Sequence, residues 1–236
     1  GVDTSDEMFV PNQVLDIDIQ MDAGDYDVMR IEGRSLPRVF SGCWKEYPDY
    51  THFKATVTVD DKVMRDVDIR KKGFLGSISA SRPSVKLNFE THLPGRRLKS
   101  LERLTLNNNR QDPSNTHQCI SYQLFRDAGL PAPRCNLARV RINGRNLGIY
   151  THVESVKKHF LRRSFGEAND EGNLYEAQVA DFGEMLKENF QLKTNELIND
   201  RSDLDLVSSA LQADDLNLPN LLGQSYKLYH YQSLFF

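Results

Sequence analysis

One lysine in this chain stands where an ammonium can work on phosphate. Lys86 lies in the run Ser84-Val85-Lys86-Leu87-Asn88-Phe89, which follows the glycine- and serine-bearing stretch Gly73-Phe74-Leu75-Gly76-Ser77-Ile78-Ser79. Alternation places Val85, Leu87 and Phe89 on one face of a strand, and Ser84, Lys86 and Asn88 on the other. A lone strand lysine is ordinarily a solvated residue. Beside a glycine-containing loop it can reach the same phosphate oxygens that the loop's main-chain N–H groups touch.

The acidic clusters invite a metal reading, above all Asp200-Arg201-Ser202-Asp203-Leu204-Asp205. The run lacks the glycine and the terminal glutamate of a calcium loop. Ser202 or Asp203 capping a helix, with acids in its first turn, accounts for the pattern without a ligand. Asp214-Asp215, ahead of Leu216 and Pro219, reads as a helix end and loop. The six histidines show no metal-ligand spacing.

Several elements must position Lys86. Val14 to Ile19 alternates apolar and acidic residues, as a half-buried strand does. Pro37 to Tyr50 is turn-rich and carries the sole tryptophan, Trp44. Ala55 to Val59 alternates, breaks at Asp60-Asp61 and resumes through Val63, Val67 and Ile69, which predicts a hairpin. Leu104 to Asn109 is a short strand entering a polar loop. A helix from Pro113 to Ala128 is predicted, capped by Asp112, with Ile120, Leu124 and Ala128 on its buried face, Phe125 beside them, and Gly129 ending it. Ala138, Val140 and Ile142 lead into Asn143-Gly144, a type I′ hairpin signal. The return strand is expected to bury Leu147, Ile149, Thr151 and Val153, with Tyr150, His152 and Glu154 on the opposite face. Val156 to Phe165 reads as a short basic helix and Asn173 to Tyr175 as a strand; from Leu186 the pattern is mostly helical and acidic.

With 236 residues, 39% of them hydrophobic and 27% charged, the chain has the composition of a soluble globular protein with a sizeable core. A formal net charge of -3 supplies no basic field for nucleic acid. Arg96-Arg97-Leu98-Lys99 is read as a solvated loop. No apolar run spans a bilayer. Three cysteines, Cys43, Cys119 and Cys135, give no disulfide framework, and an odd count leaves at least one unpaired within the chain.

Taken in order, loop, lysine strand, helix and hairpin follow the plan of a protein kinase's nucleotide-binding lobe. Lys71 to Ser77 with Arg82 to Phe89 resembles the glycine-serine loop and lysine strand of the spore-coat CotH kinase family. Leu104 to Asn108, with Asp112 and Ser114, is similar to that family's entry to its first helix. Val140 to Gly144, Leu147 to Tyr150 and Val153-Glu154 resemble its Asn-Gly hairpin, and Gly172 to Tyr175 the strand that follows. The resemblance covers roughly residues 60 to 180.

It implies an atypical, secreted or surface-associated protein kinase that transfers phosphate from ATP to protein hydroxyls, with Mg2+ or another divalent metal. Gly73 and Ser77 would lie over the phosphates, Lys86 would hold them, and Val153 and Glu154 would form the link where adenine sits. The fold so implied is α+β and kinase-like, with a β-rich nucleotide lobe over residues 1–153 and a hinge and partial helical second lobe over 154–236. Two departures stand out. The helix from Pro113 to Ala128 offers Gln118, Gln123 and Asp127 but no glutamate to pair with the lysine. Beyond Glu154 no aspartate of the family's catalytic kind is visible, and the last dozen residues turn aromatic. These features predict a chain truncated before its catalytic half and inactive by itself. The expected partners are nucleotide and a protein substrate or coat protein, with no nucleic acid and no membrane span. The competing reading is a non-catalytic coat scaffold or pseudokinase; a β-rich carbohydrate-binding module ranks last, since Trp44 alone makes little sugar platform.

Overall fold

The computed structural model describes residues 2–33, 50–73, 76–177, 180–183, 186–212 and 229–232. Trp44, Cys43, Phe74, Leu75, Asp214-Asp215 and most of the aromatic tail lie outside the described residues. The chain divides into two compact units, Gly1–Ser155 and Val156–Phe235.

In the first unit seven strands close on themselves. They are β1 (Val14–Met21), β2 (His52–Val59), β3 (Lys62–Lys72), β4 (Ser84–Asn88), β5 (Arg103–Asn107), β6 (Cys135–Ile142) and β7 (Arg145–Val153). Around the barrel the order is β1-β2-β3-β4-β5-β7-β6. Every neighbouring pair is antiparallel except β1 with β6, which run parallel with Ile17 opposite Val140.

That parallel seam follows from two matching alternations. Leu15, Ile17 and Ile19 point inward and meet Ala138, Val140 and Ile142 in the core. Between them Asp16 and Asp18 point outward, opposite Arg139 and Arg141. Arg141 bonds Asp16 at 2.9 Å and Asp18 at 3.0 Å. Opposite charges on facing strands fix the register, because a one-residue slip would turn each acid into the core.

The expectation of a kinase-like α+β chain, with a helical start to a second lobe, is therefore overturned. The first unit is a closed seven-stranded β-barrel, and helices are few among the described residues. Closure removes the free edges that an open nucleotide-lobe sheet would leave.

Both predicted hairpins are present. β2 and β3 turn at Asp60-Asp61, and β6 and β7 at Asn143 (φ 50°) and Gly144 (φ 77°), the positive angles of a type I′ turn. The facing of β7 differs from the reading: a register shift between Val140 and Arg141 lets Tyr150 and His152 point into the interior, while Thr151 and Val153 are also buried.

Helix α1 (Ala23–Ile31) starts at Asp22, whose carboxylate accepts from the N–H groups of Gly24 and Asp25. Its end is fastened by buried Lys71, whose ammonium donates to the carbonyls of Arg30 and Glu32. Burial lowers the lysine pKa, against the pull of Glu32. Helix α2 runs over His117–Asp127, not from Pro113. Its N-cap is Thr116, not the expected Asp112; Asp112 lies further back in the preceding turn and accepts from the His117 N–H at 2.8 Å while also holding Ser114. Burial acts to raise the Asp112 pKa, but the bonds from Ser114 and His117 outweigh it and hold the carboxyl below its usual range. The basic run is no mere solvated loop: Arg96 donates to the carbonyls of Phe89, Arg65 and Asp66, stapling the loop to β3.

The second unit contains α3 (Lys158–Phe165), β8 (Leu174–Ala177), β9 (Phe190–Leu192), α4 (Ser202–Gln212) and β10 (Tyr229–Gln232). Its sheet has the order β10-β8-β9, over a small core of Tyr175, Ala177, Phe190 and Leu204. The acidic run opens α4: Asp200 accepts from the Ser202 N–H at 3.0 Å, and Asp203 takes the Tyr175 hydroxyl at 2.5 Å. No helix among the described residues is long and apolar enough to cross a membrane.

The seam predicts a contrast between core and surface. Ile17→Ala should cost roughly 2–5 kcal/mol, as for other buried isoleucines, whereas Asp18→Asn at the half-exposed pair should cost under about 1 kcal/mol. Urea unfolding of the two variants measures both.

Candidate functional site

Lys86 sits on the outer face of the barrel in a row that can be followed across five strands. Arg70 of β3 lies opposite Lys86, Lys86 opposite Thr105 of β5, Thr105 opposite Val153 of β7, and Val153 opposite Cys135 of β6. The row thus joins the proposed phosphate lysine to the proposed adenine link, two strand spacings or about 10 Å apart. Two cations face each other at its head. Such a like-charge pair costs up to several tenths of a kcal/mol by itself, and an anion laid between the two reverses the sign. Lys72, two residues beyond Arg70, adds a third cation at the root of the loop; its ammonium bonds the Asn107 carboxamide oxygen.

The loop beside the row is latched. Asn108, which is buried, donates through Nδ2 to the carbonyls of Ser77 (2.9 Å) and Arg82 (2.7 Å). Its own N–H donates to the Ser84 hydroxyl at 2.9 Å. One side chain so pins both ends of the segment between Ser77 and the lysine strand. Arg110 adds a bond to the Ile78 carbonyl, and the Tyr50 hydroxyl donates to the Gly73 carbonyl at 2.8 Å. Gly73 takes a positive φ of 130°, strained for any other residue, and a Cβ there would lie 2.9 Å from the Ser77 hydroxyl oxygen and force it to shift. Gly73 and Ser77 are thus neighbours in space, as their proposed shared role requires.

At the far end of the row Glu154 is nearly fully buried and engaged with Arg134. Its carboxylate accepts from Arg134 Nη2 at 2.7 Å and from the Arg134 N–H at 3.0 Å, and its own N–H donates to the Arg134 carbonyl. Arg134 lies over the Phe9 ring, and His152 stacks on Phe9 with centroids 4.6 Å apart. Glu154 therefore anchors the strand end with its charge already spoken for. His152 is fully buried; desolvation pulls its pKa down to about 3, and the Arg134 cation acts in the same direction.

Against this geometry the comparison with known proteins is decisive. The CotH kinase protein family matches residues 69–215, more than half of the chain. The chain belongs to the CotH family. It is 29% identical over 134 residues to inner spore coat protein H of Bacillus subtilis (strain 168), covering 56% of this chain and 34% of that protein. The chain thus spans about a third of that relative's length.

Within this CotH-family chain, some site residues escaped the sequence reading. Arg70 was hidden in a strand of mixed charges, and only register reveals that it faces Lys86. Asn108 was visible as part of Leu-Asn-Asn-Asn, but not as the loop's latch. Cys119 and Cys135 form a disulfide, Cα atoms 5.3 Å apart, across 16 residues that no short motif marks. The predicted buried face of α2 is wrong: Ile120 and Leu124 are 61% and 66% exposed and Phe125 is exposed too, while Tyr122 is the buried residue. Helix α2 turns Gln118 toward the barrel, where it bonds Asn107 at 2.7 Å.

Two outcomes are expected. Glu154→Ala leaves the buried Arg134 guanidinium with Asp6 as its carboxylate partner and should cost roughly 1.5–3 kcal/mol in denaturant unfolding, the loss of a hydrogen bond to a charged group. Because His152 is held neutral when folded but titrates near 6.5 when unfolded, stability should be full above that value. It should fall as pH drops from about 6.5 toward 3, by up to about 1.4 kcal/mol per pH unit. His152→Asn should flatten that slope in unfolding titrations between those limits.

Proposed function

We propose that this chain holds the phosphates of a nucleotide on the outer face of β3, β4, β5 and β7, as the binding half of a CotH-type phosphotransferase. The observation that carries this reading is the row Arg70–Lys86–Thr105–Val153 with the latched loop beside it. Lys86 and Arg70 supply paired positive charge for phosphate oxygens, Lys72 stands at the root of the loop, and Gly73, Gly76 and Ser77 offer main-chain N–H groups. Val153, like Thr105, is nearly fully buried and backs the row from beneath, and Glu154 fixes the strand end beside it. In the whole protein the γ-phosphate of ATP passes to a Ser or Thr hydroxyl of a protein, and positioning with charge neutralisation does most of the work.

The phosphate-facing donor set suits ATP. No group of three or more His, Cys, Asp or Glu side chains gathers as a metal site among the described residues, so Mg2+ would be held chiefly by the nucleotide's own phosphates. A location on the spore or cell surface fits both the coat protein relative and the disulfide, since such bonds persist in oxidising compartments. A scaffold reading is favoured by one observation, the exposed apolar side chains of α2, which suit protein contact better than water.

Nucleotide titration by calorimetry separates the two. Wild-type protein should bind Mg-ATP, and Lys86→Ala should weaken binding at least about tenfold, the loss of one charge-assisted contact, with little change in melting temperature. A well-folded wild type that takes no nucleotide would leave the scaffold reading in its place.

A further inference from the structure

Helix α2 is lightly anchored for an element beside a binding site. Tyr122 is its buried residue, and the apolar side chains Ile120 and Leu124 point away from the barrel. Its place rests on polar and covalent ties. The Gln118 side chain accepts from Asn107 Nδ2 at 2.7 Å and donates to the Tyr122 hydroxyl at 3.1 Å. Asn107 in turn accepts from the Lys72 ammonium, and Lys72 is the residue immediately before Gly73. Near the helix end the Arg126 guanidinium donates to the Pro133 carbonyl. Next to Gln118, Cys119 is bonded covalently to Cys135, which lies in the same row as Val153, Thr105 and Lys86.

We propose that the Cys119–Cys135 disulfide is a positioning strap for the candidate phosphate site. It holds Gln118 against Asn107, Asn107 holds Lys72, and Lys72 sets the root of the Gly73–Ser77 loop. An eleven-residue helix such as α2 is shorter than the roughly 12–15 residues that hold together alone in water. With its apolar side chains unused, the covalent tie decides where it lies. Both cysteines are only half-buried, so a small dithiol can reach them. In that exchange the dithiol supplies two electrons and two protons. The Cys119–Cys135 bond breaks to two thiols, and the reagent leaves as its own disulfide. Reduction then frees α2, loosens the loop root and weakens phosphate binding. The affinity half of this inference rests on the nucleotide reading above; the ordering of the loop does not.

The test is hydrogen exchange on the whole chain, oxidised and then reduced with dithiothreitol, with the double variant C119S/C135S as a second route to the same state. Exchange at residues 76–83 and 117–127 should quicken by about tenfold or more on reduction while β1 and β2 keep their protection. Gln118→Ala should loosen residues 76–83 even when oxidised, and Gln118→Glu, which can still accept from Asn107, should restore much of the protection. Mg-ATP affinity should fall at least about threefold on reduction, in proportion to the lost loop order. Unchanged exchange at residues 76–83 would overturn the strap. So would a rise spread evenly over the barrel, which would make the disulfide a general staple. If oxidised protein binds no nucleotide, the functional reading fails while the exchange comparison still decides the strap.

Discussion

The parallel pairing of β1 with β6 is the constraint on which the rest of the first unit depends. It joins segments more than a hundred residues apart and turns a string of hairpins into a closed wall. Two alternations interlock there, Leu-Asp-Ile-Asp-Ile against Ala-Arg-Val-Arg-Ile, so that hydrophobic burial and charge pairing select the same register. Once the wall is closed, every strand has a defined inside and outside. The outward row from Arg70 to Cys135 can exist only because the inward neighbours Ile69, Val85, Leu87, Leu104 and Leu106 are fixed in the core.

The outer face shows how a candidate binding surface is assembled from residues with modest individual signals. Register brings Lys86 opposite Arg70; the buried carboxamide of Asn108 gathers the loop; the Arg134–Glu154 pair locks the far strand end. Asn108 is held by the carbonyls of Ser77 and Arg82, and Glu154 by the Arg134 N–H, which limits the freedom of both before any ligand arrives. Glu154 illustrates the division of labour, since a carboxylate committed to a buried guanidinium shapes a surface without contributing charge to it.

How far the sequence announces this differs from element to element. The Asn143-Gly144 turn and the lysine strand were legible because each depends on local backbone chemistry. The membership of the CotH family was legible too, from several short motifs in order. The barrel was not, although both halves of the β1–β6 seam are visible as alternations, because nothing local says that they meet. Helix α2 misled for another reason: its i, i+4 apolar repeat of Ile120 and Leu124 is the pattern of a buried face, yet the barrel takes hold of the helix through Gln118, Tyr122 and Cys119. Pattern reports what a helix can bury, and the neighbour decides what it does bury.

The matched family segment starts at Ile69, within β3, so the wall of the barrel is completed by strands that precede it. A fragment cut to those limits would lose β1, β2 and most of β3. It would keep β6 without the parallel partner that covers its edge, and Val140 and Ile142 without Ile17 and Ile19 to pack on. Bare strand edges beside uncovered apolar side chains invite pairing between molecules. Anyone expressing the lysine strand and its loop for study should therefore begin the clone ahead of Val14, where the acidic strand that seals the wall begins.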